Sequence, residues 1–305
     1  MRVTTLLSLL SAATAVCGQE YTAHKLYQLD NGTWLENMAQ RTGQSYYLRF
    51  TRLDSPEVME VDPTHQHGDP RTVHTFDGAT NATGITELSR DNYAVLTLNQ
   101  AVDATTVSLW TLQMNASSPI ATKVADKVAG SALLNGLAVV SPNIVLATDT
   151  LVGGIVRIDL KTGEADKVLE GDAFTKGVNG LKYSEPYLYY TNSLEGVFGR
   201  VSVDPSTGEP TGEAEVIASG DVLVGADDFA LAYWTEAAFV ANFENNNIVR
   251  VNFDNGTAEV VVKDIPAPTS ATFGSSGGLY AVTSGTGSDG GASFWSIYVP
   301  DETYG

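Results

Sequence analysis

Two stretches of the chain place an Asn-Gly pair directly before a run of β-forming residues. Asn135 stands in LLNGLAVVSPNIVLATDT, and Asn179 stands in GVNGLKYSEPYLYYTNS. A carboxamide carries one oxygen acceptor and two N–H donors, so two of them at matching positions can bind a shared ligand or polarise a carbonyl. The spacing therefore predicts that both carboxamides point into one site.

Acidic residues occupy the matching position in two further β-rich segments. Glu36 stands in WLENMAQ and Asp227 in GADDFALAY. Two carboxylates and two carboxamides form an all-oxygen set, which suits a hard cation such as Ca²⁺ or Mg²⁺ better than zinc. The same side chains can instead bond backbone groups and trapped water, and the sequence leaves both interpretations open. The matching positions elsewhere are Thr83 or Gly84 and Thr269 or Ser270.

The elements that must position these residues are six copies of one four-strand pattern. One copy reads LLNGLAVV, NIVLATDT, GGIVRIDL and DKVLE, with a turn between successive runs. A β-sandwich does not give six units in phase, whereas a propeller with four-stranded blades does. The last copy lacks a fourth strand, and the segment HKLYQLD ahead of the first copy has the right character to supply it. We therefore predict an all-β, six-bladed β-propeller whose ring is closed by this N-terminal strand.

The N-terminus indicates the secretory route. Arg2 precedes the apolar run LLSLLSAATAV, and small residues follow near Cys17, which is the layout of a signal peptide over residues 1–18. Residues 19–305 then form a single propeller domain without cysteine. Localisation is expected to be secreted or in the secretory pathway. Glycosylation is predicted at four Asn-x-Ser/Thr sequons placed between β-like runs: Asn31, Asn81, Asn115 and Asn255.

Charge limits the partners. The formal net charge is -19, so the chain lacks the basic surface that nucleic acids require, and binding to anionic lipid is disfavoured. No segment after the signal peptide approaches the roughly 20 apolar residues of a membrane span. The expected partner is a small molecule, bound by a monomer.

The motif Asn-Gly-Leu followed by YLYYTNS resembles the gluconolactonase and regucalcin family, six-bladed propellers with one divalent metal in the channel. The resemblance covers essentially the whole mature chain. It implies that Glu36, Asn179 and Asp227 hold the metal, Ca²⁺ or Mg²⁺. It also implies that Asn135 contacts the substrate, beside Glu36.

This chain differs from that family at a position that binds the substrate. Sugar-lactone members carry an Arg two residues before the third-blade Asn, and here that residue is Leu133. An Arg grips a polyhydroxylated anion, and a Leu does not. In addition, Asn37 and Met38 follow Glu36, and Asp227 stands between Ala226 and Asp228. We therefore expect an apolar substrate that contacts Leu133.

The sequence is also similar to secreted fungal propellers of secondary metabolism, among them hetero-Diels–Alderases that join a quinone methide to an alkene. That resemblance implies a cyclisation catalyst, in which Asn135 or Asn179 polarises the heterodiene and Asp227 or Glu36 assists loss of water. A metal-dependent lactone or ester hydrolase, with Asp227 activating water, is the second hypothesis. A non-catalytic binding propeller is the third. Leu133 favours the first, and the intact set of Glu36, Asn179 and Asp227 favours the second.

Overall fold

A computed structural model describes residues 20–43, 46–64, 69–101, 104–114, 118–128, 130–232, 234–275, 277–286 and 290–300. The predicted signal peptide at residues 1–18 and the sequon at Asn115 lie outside the described residues. Within these ranges, the structure contains no helix of the length and apolarity needed to cross a membrane.

Twenty-four strands form six antiparallel sheets of four strands each. The first three blades contain β2 (Leu35–Gln40), β3 (Leu48–Arg52), β4 (Glu57–Val61) and β5 (Arg71–Thr75); β6 (Asn81–Ser89), β7 (Asn92–Ala101), β8 (Ala104–Gln113) and β9 (Ile120–Ala125); β10 (Leu134–Ser141), β11 (Ile144–Asp149), β12 (Ile155–Asp159) and β13 (Ala165–Leu169). The fourth and fifth contain β14 (Val178–Ser184), β15 (Tyr187–Asn192), β16 (Val197–Ser202) and β17 (Glu215–Ser219); β18 (Ala226–Ala232), β19 (Ala237–Asn242), β20 (Asn247–Asn252) and β21 (Ala258–Lys263). The sixth contains β22 (Pro268–Phe273), β23 (Leu279–Thr283), β24 (Gly291–Tyr298) and β1 (Thr22–Asn31).

The predicted six-bladed propeller is confirmed, with β2, β6, β10, β14, β18 and β22 as the inner strands. Two short 3₁₀ turns, Asp172–Phe174 and Asp221–Leu223, lead into the fourth and fifth blades. The inner strand of the second blade begins at Asn81, ahead of the matching channel position at Thr83 or Gly84. The outermost strand of the sixth blade is β1, which pairs with β24 from Thr22↔Tyr298 to Asn31↔Gly291.

The core lies between the faces of adjacent blades. Strands β11 and β19 are buried along their whole length, because each has a blade packed on either side. The tyrosine-rich run of β15 packs between blades: Tyr189 stacks on Phe253 of the next blade, with ring centroids 5.1 Å apart. Stacked aromatic pairs of this kind stabilise a sheet interface beyond the area that they bury.

A β-bulge or similar register shift lies near the start of the inner strand of every blade. In the third blade, Asn135 and Gly136 together oppose Thr148. The Thr148 hydroxyl accepts a hydrogen bond from Gly136 N at 2.8 Å and donates one to Asn179 O in the next blade. A bulge re-aims side chains that a regular strand would turn away, and here it directs ring residues toward the axis while Thr148 joins two blades.

The bulge glycines allow neighbouring blades to approach at the axis. A Cβ atom at Gly136 would lie 2.3 Å from Asn179 O and 2.6 Å from Leu181 N, and both are backbone atoms that cannot rotate away. The Asn-Gly pair therefore has two functions. The Asn supplies the carboxamide, and the Gly admits the next blade.

We expect Gly136→Ala to lower the free energy of unfolding by about 1 to 3 kcal/mol, because the fourth blade must shift outward. Urea denaturation measures the loss. Gly212→Ala is the matched control, since only the rotatable Ser202 hydroxyl lies near its Cβ position. Equal stability of the two variants would contradict the proposed role of the close approach.

Candidate functional site

The polar ring lies where the six inner strands begin, on what we call the upper face. Glu36 is the second residue of β2, Asn135 of β10, Asn179 of β14 and Asp227 of β18. All four are buried. The sequence-predicted residues of the channel therefore share one level of the axis, and those of blades two and six are Thr83 and Thr269.

Glu36 and Asn135 are held together across the second blade. Asn135 Nδ2 donates to Glu36 Oε1 at 3.0 Å, and Asn37 Nδ2 donates to Asn135 Oδ1 at 2.6 Å. The other oxygen of Glu36 accepts from Trp34 Nε1 at 2.6 Å. These bonds fix the orientation of the Asn135 carboxamide. Asn37 and Trp34 were not among the predicted site residues.

Asn179 and Asp227 each present an acceptor oxygen without a donor. Asn179 Nδ2 donates to Ser193 Oγ at 3.2 Å, which leaves Asn179 Oδ1 buried and unpartnered. Asp227 Oδ1 is buried and unpartnered as well. A buried polar atom without a hydrogen bond is costly, so such atoms commonly mark a ligand or ion site.

Asp228, beside Asp227, is neutralised by a lysine of the neighbouring blade. Lys182 Nζ lies 2.6 Å from both carboxylate oxygens of Asp228, and Ser270 Oγ donates to one of them at 2.8 Å. Gly180 makes room for Asp228, because a Cβ there would lie 3.0 Å from Asp228 Oδ1. Sequence reasoning missed this pair. The available signal was that Lys182 is the only basic residue in the six inner strands.

Burial makes the ring carboxyls hard to ionise. Removal from water raises the pKa of Glu36 to about 7, with the charge of Asp228 adding to the rise against the opposing hydrogen bonds from Trp34 and Asn135. Burial also raises the pKa of Asp227 well above its usual range, and the charges of Glu36 and Asp228 raise it further. Without a bound cation, the ring therefore keeps protons at pH values where exposed carboxyls lose them.

We expect the cation-free protein to lose stability as pH rises. The folded pKa of Glu36 is raised from 4.5 to about 7. Its contribution is therefore fully present below the unfolded pKa and is lost as pH rises through the folded one. The shift corresponds to up to about 3 kcal/mol. Urea unfolding in chelator at pH 5 to 8 measures the loss, and Glu36→Gln should weaken it while Glu195→Gln should not. Constant stability over this window would contradict the interpretation.

The ring fits a hard divalent cation. Among the described residues, no group of three or more His, Cys, Asp and Glu side chains is arranged to hold a metal ion. The set here has two carboxylates, Glu36 and Asp227, and one carboxamide, Asn179. Its two unpartnered oxygens accept only, and one cation would compensate the buried negative charge that Lys182 leaves unbalanced. The three predicted ligands thus form a donor set that suits Ca²⁺ or Mg²⁺.

The upper face has a covered side and an open side. Trp34 stacks on Phe243 of the fifth blade, with centroids 5.8 Å apart and planes 20° apart, directly beside Glu36. Leu133, predicted to contact substrate, is half-buried and packs partly on the core between the second and third blades.

Asp149, Asn192 and Asn242 act as turn formers, each accepting backbone N–H bonds at a strand end.

The described sequons occupy different surroundings. Asn255 is exposed in the turn between β20 and β21, where its Oδ1 accepts from Thr257 N at 3.0 Å. Asn31 is exposed at the end of β1. Asn81 begins β6 with its carboxamide donating to Leu53 O, so it is inside a strand and not between strands as the sequence suggested. Asn255 and Asn31 therefore offer the more accessible carboxamides for a glycan.

No protein-family model matches this chain, and no curated protein matches it in sequence. Its fold is similar to a luciferin-regenerating enzyme, with TM-score 0.68, 13% identity and coverage of 92% of this chain and 95% of the other. Regucalcin from Agrobacterium tumefaciens, described as calcium-binding, gives TM-score 0.68, 15% identity and coverage of 91% and 95%. A PQQ-bound aldose sugar dehydrogenase from Streptomyces coelicolor gives 0.62, 14% and coverage of 92% and 99%. At these identities the comparisons show the shared six-bladed fold.

Proposed function

We propose that the protein is a divalent-cation-dependent hydrolase of apolar lactones or esters. The observation that carries the proposal is the pair of buried, unpartnered acceptor oxygens, Asn179 Oδ1 and Asp227 Oδ1, which lie on neighbouring blades at the level of Glu36. Acceptor oxygens can pair with a ligand O–H or N–H, with a proton or with a cation, and a single cation would satisfy both oxygens at once.

The chemistry of the proposed reaction divides among four residues: Asp227, Asn135, Glu36 and Asn179. A bound divalent cation would supply Lewis acidity to the substrate carbonyl. Asp227, ionised in the loaded site, accepts a proton from water as the water oxygen bonds to the carbonyl carbon, and it returns that proton to the leaving alkoxide. Asn135 is held by Asn37 and Glu36 so that a carboxamide N–H faces the developing oxyanion with little reorganisation. Glu36, Asn179 and one oxygen of Asp227 would hold the cation.

Leu133 and the Trp34–Phe243 pair support an apolar substrate. Neither side chain offers a charge to a polyhydroxylated acid, and Lys182 already binds Asp228. This is the reason to prefer an apolar acyl compound over a sugar lactone. The resemblance to regucalcin supports calcium as the first cation to try. We also propose that the protein follows the secretory route, is glycosylated and is a monomer.

A second candidate is the cyclisation or hetero-Diels–Alder catalyst of secondary metabolism. The observation that favours it is the raised pKa of Asp227 and Glu36. A protonated carboxyl can donate its proton to a leaving hydroxyl, and the carboxylate left behind then takes the phenol proton of the precursor, so that water and a quinone methide are released. The same apolar side chains, Leu133 and the Trp34–Phe243 pair, would hold the alkene against the heterodiene.

Elemental analysis of the protein tests the first candidate. One bound equivalent of calcium or another divalent ion, lost in Asn179→Ala and kept in the exposed control Asn255→Ala, would support it. Hydrolysis of 4-nitrophenyl esters should then follow the metal content. A folded protein that takes up no divalent ion at micromolar supply would overturn the hydrolase. Reaction of a quinone methide precursor with an alkene would then test the cyclase, and inactivity in both assays would leave a binding propeller.

A further inference from the structure

We infer that the upper loops of the third and fourth blades form an apolar subsite for the tail of the substrate, an inference that rests on the proposed function. Leu151 and Val152 lie in the loop between β11 and β12, and Leu194 lies in the loop between β15 and β16. Their side chains are exposed by 51%, 49% and 63%. Both loops follow strand ends that pair with the start of an inner strand, Leu134↔Asp149 and Val178↔Asn192, which places them on the upper face.

The two loops that carry the three side chains lie next to each other. A Cβ atom at Gly177 would lie 2.7 Å from Leu194 Cγ, so the Leu194 side chain lies against Gly177. Gly177 N donates to Thr150 O at 2.9 Å, and Thr150 is the neighbour of Leu151. One hydrogen bond thus separates the loop that carries Leu194 from the loop that carries Leu151. We call Leu151, Val152 and Leu194 the apolar patch.

The apolar patch is continuous with the polar ring. Ser193 precedes Leu194, and its hydroxyl accepts a hydrogen bond from Asn179 Nδ2 at 3.2 Å. Only Ser193 therefore lies between Asn179 of the polar ring and Leu194 of the apolar patch. On the opposite side, Trp34 stacked on Phe243 covers the ring beside Glu36. A substrate whose carbonyl reaches Asn135 is left with the sector of blades three and four for its remaining atoms.

The loops of this sector are rigid enough to form a binding surface. A continuous series of backbone hydrogen bonds crosses three blades: Gly177 N to Thr150 O, Ser193 N to Gly177 O, Gly225 N to Ser193 O and Phe243 N to Gly225 O, all at 2.8 or 2.9 Å. A preordered surface loses little conformational entropy when an apolar chain lies on it. The substrate class that follows is an amphiphile with one carbonyl and a linear or branched hydrocarbon part.

The test uses methyl ketones from 2-butanone to 2-decanone, whose carbonyl cannot be hydrolysed. Binding to the calcium-supplied protein is measured by titration calorimetry. We expect affinity to rise about two- to fourfold with each added methylene, as for partly to fully buried hydrocarbon. Val152→Ser and Leu194→Ser combined should flatten this dependence. Val216→Ser and Ile120→Ser, on equally exposed apolar residues of the outer strands, should leave it intact.

Hydrolysis of 4-nitrophenyl esters of matching chain length separates this inference from the proposed function. In the unaltered protein KM should fall as the ester chain lengthens. In the patch variant KM should not depend on chain length, while kcat is retained. This result supports both the subsite and the hydrolase. Calcium-dependent hydrolysis without any chain-length dependence overturns the subsite and leaves the hydrolase. Ketone affinity that rises with chain length, in a protein that hydrolyses no ester, overturns the hydrolase and leaves the subsite. A dimer that Leu194→Ser dissociates, with no ketone gradient, would make the patch a self-association surface and overturn the inference.

Discussion

Asp227→Asn is expected to lower kcat/KM for ester hydrolysis by about 10³-fold or more while making the cation-free protein more stable at pH 8. The loss follows because an amide cannot take the proton of the attacking water, and it also weakens the cation site. The gain follows because Asp227 is buried beside Glu36 and Asp228, and its ionised form is disfavoured there. An isosteric amide removes that buried charge.

The two effects have opposite signs, so misfolding cannot imitate them. Turnover is measured with excess calcium, and thermal unfolding is measured in chelator at pH 8. Asp254→Asn, in the exposed turn after β20, should change neither quantity. A variant with full turnover would remove Asp227 from the mechanism, and one that unfolds at a lower temperature than the unaltered protein would contradict the electrostatic interpretation of the ring.

Lys182→Met is expected to lower the free energy of unfolding by about 3 to 5 kcal/mol, because it leaves Asp228 buried without its cation. The Asp228 carboxylate is 1% exposed and receives both of its contacts to Lys182 at 2.6 Å. Lys182 Nζ also lies 5.8 Å from the centroid of the Phe229 ring, and methionine keeps an apolar side chain of similar length there, so the variant removes the charge with little change of volume.

The double variant Lys182→Met with Asp228→Asn is the matched control. It removes both charges and should recover most of the stability, leaving a coupling energy of the order of 2 kcal/mol in the cycle. Urea denaturation of the four proteins gives the result. If the losses of the two single variants add up to the loss of the double variant, the pair is not coupled, and the electrostatic interpretation is contradicted.

The six-fold repetition made the architecture and the ring predictable. Glu36, Asn135, Asn179 and Asp227 fall at the same phase of the repeat, and equal phase in a propeller means equal height on the axis. The start of β6 at Asn81 was not predictable, because Asn81 and Ala82 carry no signal that distinguishes a strand from the preceding turn. Hydrogen-bond pairing between blades was not predictable, since it depends on how far each blade is rotated against the next.

Lys182 shows the limit most clearly. Its sequence position, three residues after Asn179, gives no indication that its ammonium group reaches across to Asp228 of the next blade. Similarly, Leu133 was predicted to contact substrate from its alignment with a binding Arg, and the structure packs part of it on the core between blades. Side-chain direction within the β-bulges could not be read from a period of two, because a bulge interrupts that period.

The sixth blade joins two parts of the chain that are synthesised far apart. Gln28 Nε2 donates to Gly291 O across 263 residues, so β1 has no partner until nearly the whole chain has been made. Contacts of such long sequence separation carry a large loop-closure cost and form late. We expect β1 to join last during folding and to leave first during unfolding, which hydrogen exchange of its amides would report. The lifetime of the native ring would then depend on the hydrogen bonds between β1 and β24, which are remote from the polar residues that the ring holds in place.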